Sequence, residues 1–185
     1  MRNFIIAATI IVLIAFGLAI SYNGLVKMNE NISGKWSQVE NQMQRRSDLI
    51  PNLLNTVQGI ADHEKSIVKS VTDARSAMMQ SKNLADISKA DSDLAGALSR
   101  LLVVVENYPQ IKADANFRQL SDELAGTENR IAIARKDYNE AVQMFNTKIK
   151  TFPTVLVASM FGFSPKEYLK VPDSAKAVPI VKFNK

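Results

Sequence analysis

The chain has 185 residues, enough for one globular domain and an anchor, with 46% hydrophobic residues and only 7 Gly and 6 Pro. That composition suits long helices and excludes a many-stranded fold rich in turns. The absence of cysteine excludes disulfides, thiolate metal sites and cysteine nucleophiles. A net charge of +5, from 23 basic and 18 acidic residues, is interspersed along the chain. It reads as a solvated surface, or as one attracted to anionic lipid heads. No basic run alternates with aromatics, so nucleic acid is not an expected partner.

The first element is an uncharged run, Phe4 to Ile20, FIIAATIIVLIAFGLAI. As a helix it measures about 26 Å, and continuing to Val26 brings it to the ~30 Å of a bilayer core. Tyr22 then falls at the interface, where its amphipathic ring is favoured. A cleaved signal peptide is the rival reading, with Gly17-Leu18-Ala19 as a small-x-small site. The unbroken helical pattern favours an uncleaved anchor. Arg2 and the α-amino group before the span nearly balance Lys27 and Lys35 after it, and the short head favours a soluble domain outside the cytoplasm, held by the inner membrane.

Beyond the span, Leu25, Met28, Ile32, Trp36, Val39 and Met43 recur at spacings of 3 and 4, an amphipathic stripe continuous with the anchor. Trp36 belongs to that stripe and is expected in the core. Arg45-Arg46 suits a helix C-terminus, and Pro51 suits a first turn, so a turn or kink is expected near 46–51. A second helix then runs to about Ser81 on Leu53, Val57, Ile60, Val68, Val71 and Met78. Residues 82–92 are rich in Asn, Asp, Ser and Lys and read as a loop. A third helix carries Leu94, Leu98, Leu101, Leu102 and Val105, and Pro109 ends it. The longest stripe runs from Phe117 through Leu124, Ile131, Tyr138 and Phe145 to Ile149, at a mean spacing near 3.5 that fits an antiparallel bundle. Val155 to Phe163 is apolar but too short to span a bilayer; it is expected to cap the bundle, the alternative being a dip into the interface beside the anchor. The tail, punctuated by Pro165, Pro172 and Pro179, is expected to be extended or partly disordered. The expected organisation is an all-α chain with an N-terminal transmembrane helix continuing into an antiparallel four-helix bundle: anchor 1–26, bundle 27–164, tail 165–185.

Chemistry-bearing residues are few. His63 is the only histidine, and no Gly-x-Ser-x-Gly elbow supports a triad. Ile60 stands where a Glu-x-x-His metal motif needs its Glu. His63-Glu64 therefore reads as a structural pair, and the seven scattered glycines form no phosphate loop. No cofactor, metal or catalytic residue is expected. Arg45, Arg46 and Asp48 make a charged corner, explained by dipole neutralisation and an intrachain pair, or by a partner carboxylate or phosphate. Thr127, Glu128, Asn129 and Arg130 sit polar within the longest stripe, where such residues fix register or face a partner.

The chain carries, in order, Arg45-Arg46-x-Asp48-Leu49-Ile50-Pro51-Asn52-Leu53, His63-Glu64, Glu106-Asn107-Tyr108-Pro109, Thr127-Glu128-Asn129-Arg130-Ile131-Ala132, Phe152-Pro153 and Phe161-Gly162-Phe163. On these motifs it resembles, along nearly its whole length, the LemA family of bacterial membrane proteins. It implies a single-pass membrane protein with a soluble bundle of four long helices, and it supplies no reaction or cofactor. The tail departs from the family's pattern, since Tyr168-Leu169-Lys170 is less acidic than usual. The leading functional expectation is a non-enzymatic scaffold or adaptor that binds a membrane partner or assembles with its own copies. The alternatives are a lipid-binding or membrane-remodelling protein acting through 155–163, and a hydrolase using His63.

Overall fold

The computed structural model describes residues 1–61 and 64–169. Seven helices follow in order: α1 Arg2–Thr56, α2 Gln58–Ala61, α3 Lys65–Gln80, α4 Leu84–Val105, α5 Pro109–Lys112, α6 Ala115–Lys148 and α7 Thr154–Met160. No strand occurs among the described residues. The chain divides into two units, and α1 and α6 each contribute to both.

One unit holds residues 1–39 and 134–168. Its α1 segment is exposed through Gly17, and Leu18 is the first half-buried residue. The helix is long and apolar enough to cross a membrane. Past Leu25 it packs antiparallel on α6. Trp36 meets Tyr138 edge to face at 5.6 Å, and Lys35 pairs with Asp137 at 2.9 Å. Nearer the apolar N-terminal segment, Met28 shares a surface hollow with Met144 and Lys148. Trp36 is half-buried, at the rim of the core its stripe predicts.

α7 closes the same unit. Thr154, Val157 and Ala158 are buried, so one face of α7 packs inward on this unit. The helix ends in a Schellman turn: Gly162 takes φ 74°, and the Phe163 amide donates to the Ala158 carbonyl at 2.9 Å. That turn sets two rings around Tyr22, Phe161 at 4.8 Å and Phe163 at 5.8 Å. The following segment is extended and latched. The Asn146 amide donates to the Lys166 carbonyl and accepts from the Lys166 amide, both at 2.8 Å. The Tyr138 hydroxyl donates to the Glu167 carbonyl at 3.1 Å. No helix or strand is formed from Phe163 through Leu169, and the rest of the expected tail, 170–185, lies outside the described residues.

The other unit holds, of the described residues, those within 40–133 and Leu169. In it α1, α3, α4 and α6 form an up-down-up-down bundle. The expected turn at 46–51 is absent, because α1 runs on to Thr56 with Pro51 inside it. A proline there deprives the carbonyl four residues back of its N–H partner. That carbonyl belongs to Ser47, which is buried, and Arg75 of α3 donates its Nε to it at 2.9 Å. The bundle thus supplies the hydrogen bond that proline removes, and α1 ends instead at Thr56, ahead of α2. The expected loop at 82–92 is also mostly helix. The Asn83 side chain accepts from the Asp86 amide at 2.8 Å, an N-cap that starts α4 at Leu84 and leaves only 81–83 as connection. Asp114 caps α6 in the same way, accepting from the Phe117 amide at 2.9 Å.

Two outcomes follow. Arg75→Leu leaves a buried carbonyl unpaired and costs about 1–3 kcal/mol in urea unfolding of the micelle-bound chain. In a Pro51→Ala background the restored amide takes that carbonyl, and the cost falls to less than half. Tyr138 has its pKa raised, by burial first and by the Glu167 charge second. Its contribution to stability is therefore complete below the ordinary tyrosine range and is lost as pH climbs through that range to the raised folded value. Tyr138→Phe should lose about 1 kcal/mol at neutral pH and show a shallower alkaline limb in pH-dependent unfolding.

Candidate functional site

The polar residues singled out in the sequence gather in the second unit, where α1, α4 and α6 face one another. Arg46 lies on the buried face of α1 and is 1% exposed. Leaving a guanidinium there without carboxylates would cost several kcal/mol. Asp91 of α4 and Glu128 of α6 both pair with it, the first equally buried and the second half-open to solvent. Burial pulls the Arg46 pKa down, and the Glu128 charge and hydrogen bond oppose that shift. The guanidinium therefore ties three helices together at one point.

This arrangement corrects the charged-corner reading. No helix ends at Arg45-Arg46, so dipole neutralisation does not apply. Arg46 pairs across helices and not with Asp48, whose carboxylate instead accepts from Gln44 Nε2 at 2.8 Å on the exposed side of α1. Arg46 lies too deep to touch a partner. Asn129 is exposed.

Thr127 is fully buried in the α6 stripe. Its hydroxyl donates to the Glu123 carbonyl at 2.8 Å and accepts from Arg130 Nη2 at 3.2 Å. That second bond draws the Arg130 side chain back along α6. A Cβ at Gly126 would stand 3.5 Å from the guanidinium, an ordinary contact, so the side chain lies against this position without requiring glycine there.

Arg130 then lines an open groove with Arg45 of α1 and with Arg118, Asp122 and Glu123 of α6. All three arginines are exposed, and among the described residues no carboxylate forms an ion pair with any of them. The structure therefore brings Arg45 and Arg130 into one groove and sets Arg46 and Glu128 behind it as the pair that holds its walls together. The groove offers forked donors to carboxylate or phosphate oxygens.

Sequence reasoning missed Asp91 and Arg118. Asp91 had a usable signal, since carrying the stripe of Val105, Leu101, Leu98 and Leu94 back by one more step of three lands on it. Arg118 carried none beyond its place on the polar face of α6. Among the described residues no group of His, Asp and Glu could hold a metal ion. His63 lies outside the described residues. Its neighbour Glu64 stands at the α3 N-cap without a side-chain capping bond.

The model of the LemA family matches residues 35–183. The chain belongs to the LemA family. It is 31% identical over 179 residues to magnetosome protein MamQ 2 of Paramagnetospirillum magneticum, covering 83% of this chain and 66% of that one. It is 29% identical over 191 residues to magnetosome protein MamQ of Magnetospirillum gryphiswaldense, covering 88% and 70%. It is 25% identical over 140 residues to protein LemA of Metamycoplasma hominis, covering 74% and 63%. The chain thus spans about two thirds of the length of the magnetosome relatives.

The buried network makes a sharp energetic prediction. Arg46→Met, which removes the buried cation facing the Asp91 carboxylate, should destabilise the chain by about 3–5 kcal/mol. Arg46→Met with Asp91→Leu should recover most of that loss, because Glu128 can turn to solvent. Chemical unfolding of both variants in micelles, followed by circular dichroism, measures the difference.

Proposed function

We propose that the chain is a membrane-anchored, non-enzymatic adaptor whose Arg45–Arg118–Arg130 groove receives an acidic segment of a protein partner in the same membrane. The observation that supports it is the groove itself: three exposed arginines that form no ion pair among the described residues, on two helices joined beneath by Arg46 and Glu128. In this reading Arg45, Arg118 and Arg130 touch the partner. Asp48 and Asn129 lie on the adjoining exposed surface, and Arg46 acts only by positioning. α1 enters the inner membrane as a single pass, with the helical bundle on the outer side. The family and its magnetosome relatives support membrane association, and the absence of a catalytic constellation from the sequence supports an adaptor.

A photoreactive residue at Gln119, a groove position, tests the proposal in intact cells. A specific adduct is expected, weakened by salt in isolated membranes because exposed charge pairs are screened. Reversal of all three arginines to Glu should reduce it by about tenfold or more, since each exposed contact is worth up to ~1 kcal/mol. An adduct of undiminished yield in the reversed variant would remove the groove from the interface. An adduct between two copies of this chain would replace the partner by self-assembly.

A further inference from the structure

α7 has a second face that the cap does not use. Leu156 and Met160 stand exposed on it, Phe161 is exposed at its end, and Phe152 just before it is 81% exposed. An apolar cluster of this kind marks an interaction surface, and what should cover it is decided by where it sits. Phe161 packs on Tyr22. Tyr22 lies 18 residues after Phe4 on an unbroken helix, about 27 Å along the axis at ~1.5 Å per residue. With Phe4 at one edge of a ~30 Å hydrocarbon core, Tyr22 stands at the other, and the end of α7 stands there with it. The burial pattern agrees, since protein first shields α1 at Leu18.

Charge is distributed to match. Lys27, Lys148 and Lys150 are exposed near this end, and Lys148 shares a hollow with Met28. Asp137, Glu140 and Glu167 instead gather around Tyr138: Asp137 on Lys35, Glu140 by Lys136 and Glu167 beside the hydroxyl. Tyr138 lies ten residues before Lys148 on α6, about 15 Å away. Glu30 is the one carboxylate within a turn of Lys27.

We infer that the outer face of α7 is seated in the headgroup and acyl boundary of the leaflet from which α1 emerges, with lipid as its occupant. Phe152, Leu156, Met160 and Phe161 enter the boundary, and the lysines meet lipid phosphates. A lone anchor leaves a domain free to swivel and tilt, and this second contact fixes the unit against the bilayer. The inference shares with the proposed function only the spanning of the membrane by α1.

Full-length chain in phosphatidylcholine–phosphatidylglycerol vesicles, with Trp36→Phe as background, tests it through single tryptophans and brominated lipids. Met160→Trp should emit blue-shifted and be quenched at least about twofold by bromines placed shallow in the acyl chain, as an interfacial depth of ~5–10 Å requires. Ile11→Trp should be quenched best by deep bromines, and Lys136→Trp not at all. Water-like, unquenched emission from Met160→Trp beside a quenched Ile11→Trp overturns the lipid contact and leaves the anchored adaptor standing. Blue-shifted emission that no bromolipid quenches means that protein covers the face, and also overturns it. An unquenched Ile11→Trp overturns both readings.

Discussion

A guanidinium with almost no exposure cannot be accommodated unless carboxylates are brought to it, and the second unit is arranged around that constraint. Arg46 comes from α1, Asp91 from α4 and Glu128 from α6. A slip of one turn along α1 or α4 would part the buried Arg46 and Asp91 charges in the core, at a cost of several kcal/mol, a large share of a domain's stability margin. Apolar stripes alone tolerate such slips, because one leucine replaces another at similar burial. The ion network therefore supplies register where the hydrophobic effect supplies only adhesion. It also sets Arg45 opposite Arg118 and Arg130, so the groove's geometry is inherited from the core beneath it.

Pro51 shows how local chemistry can mislead. Read alone, an Arg-Arg pair followed by proline signals a helix end, since the missing amide leaves a carbonyl without a partner. The unit answers with Arg75, twenty-eight residues away in the chain. No local pattern displays such a long-range donor, and the expected turn accordingly fell about ten residues too early. The long stripes were legible because burial repeats along them: Phe117, Leu124, Ile131, Val142, Phe145 and Ile149 are all buried as their spacing requires. The polar run before Leu94 misled for the opposite reason. Its capping residue, Asn83, and its buried Asp91 belong to the same helix, and both look like loop composition.

The candidate site was legible in part. Arg45, Glu128 and Arg130 were conspicuous as polar residues beside apolar stripes. Their division into an ion pair anchored by a buried arginine and an exposed groove was not, because it turns on which face of α1 each of two adjacent arginines occupies. One step along a helix rotates the side chain by about 100°, enough to place Arg46 in the core and Arg45 at the surface. Gly162 was legible only as part of a motif. Its positive φ turns the chain so that Phe161 and Phe163 both reach Tyr22, a role that only a residue without a Cβ takes at little cost.

The proposed adaptor role asks little of each contact, and the reason is the anchor. Three exposed arginine contacts, each worth up to ~1 kcal/mol, make a weak site in free solution. Confinement to one membrane converts encounter with a co-resident partner into a tethered event at an effective concentration that reaches millimolar for short tethers. A shallow, hydrated, charge-based groove then suffices, where a soluble complex would need a desolvated apolar hot spot. The same confinement favours reversibility, since exposed ion pairs form and break without burying a charge. An adaptor that must release its partner is better served by Arg45, Arg118 and Arg130 at the surface than by more pairs like Arg46 and Asp91, whose separation strands a charge in the core.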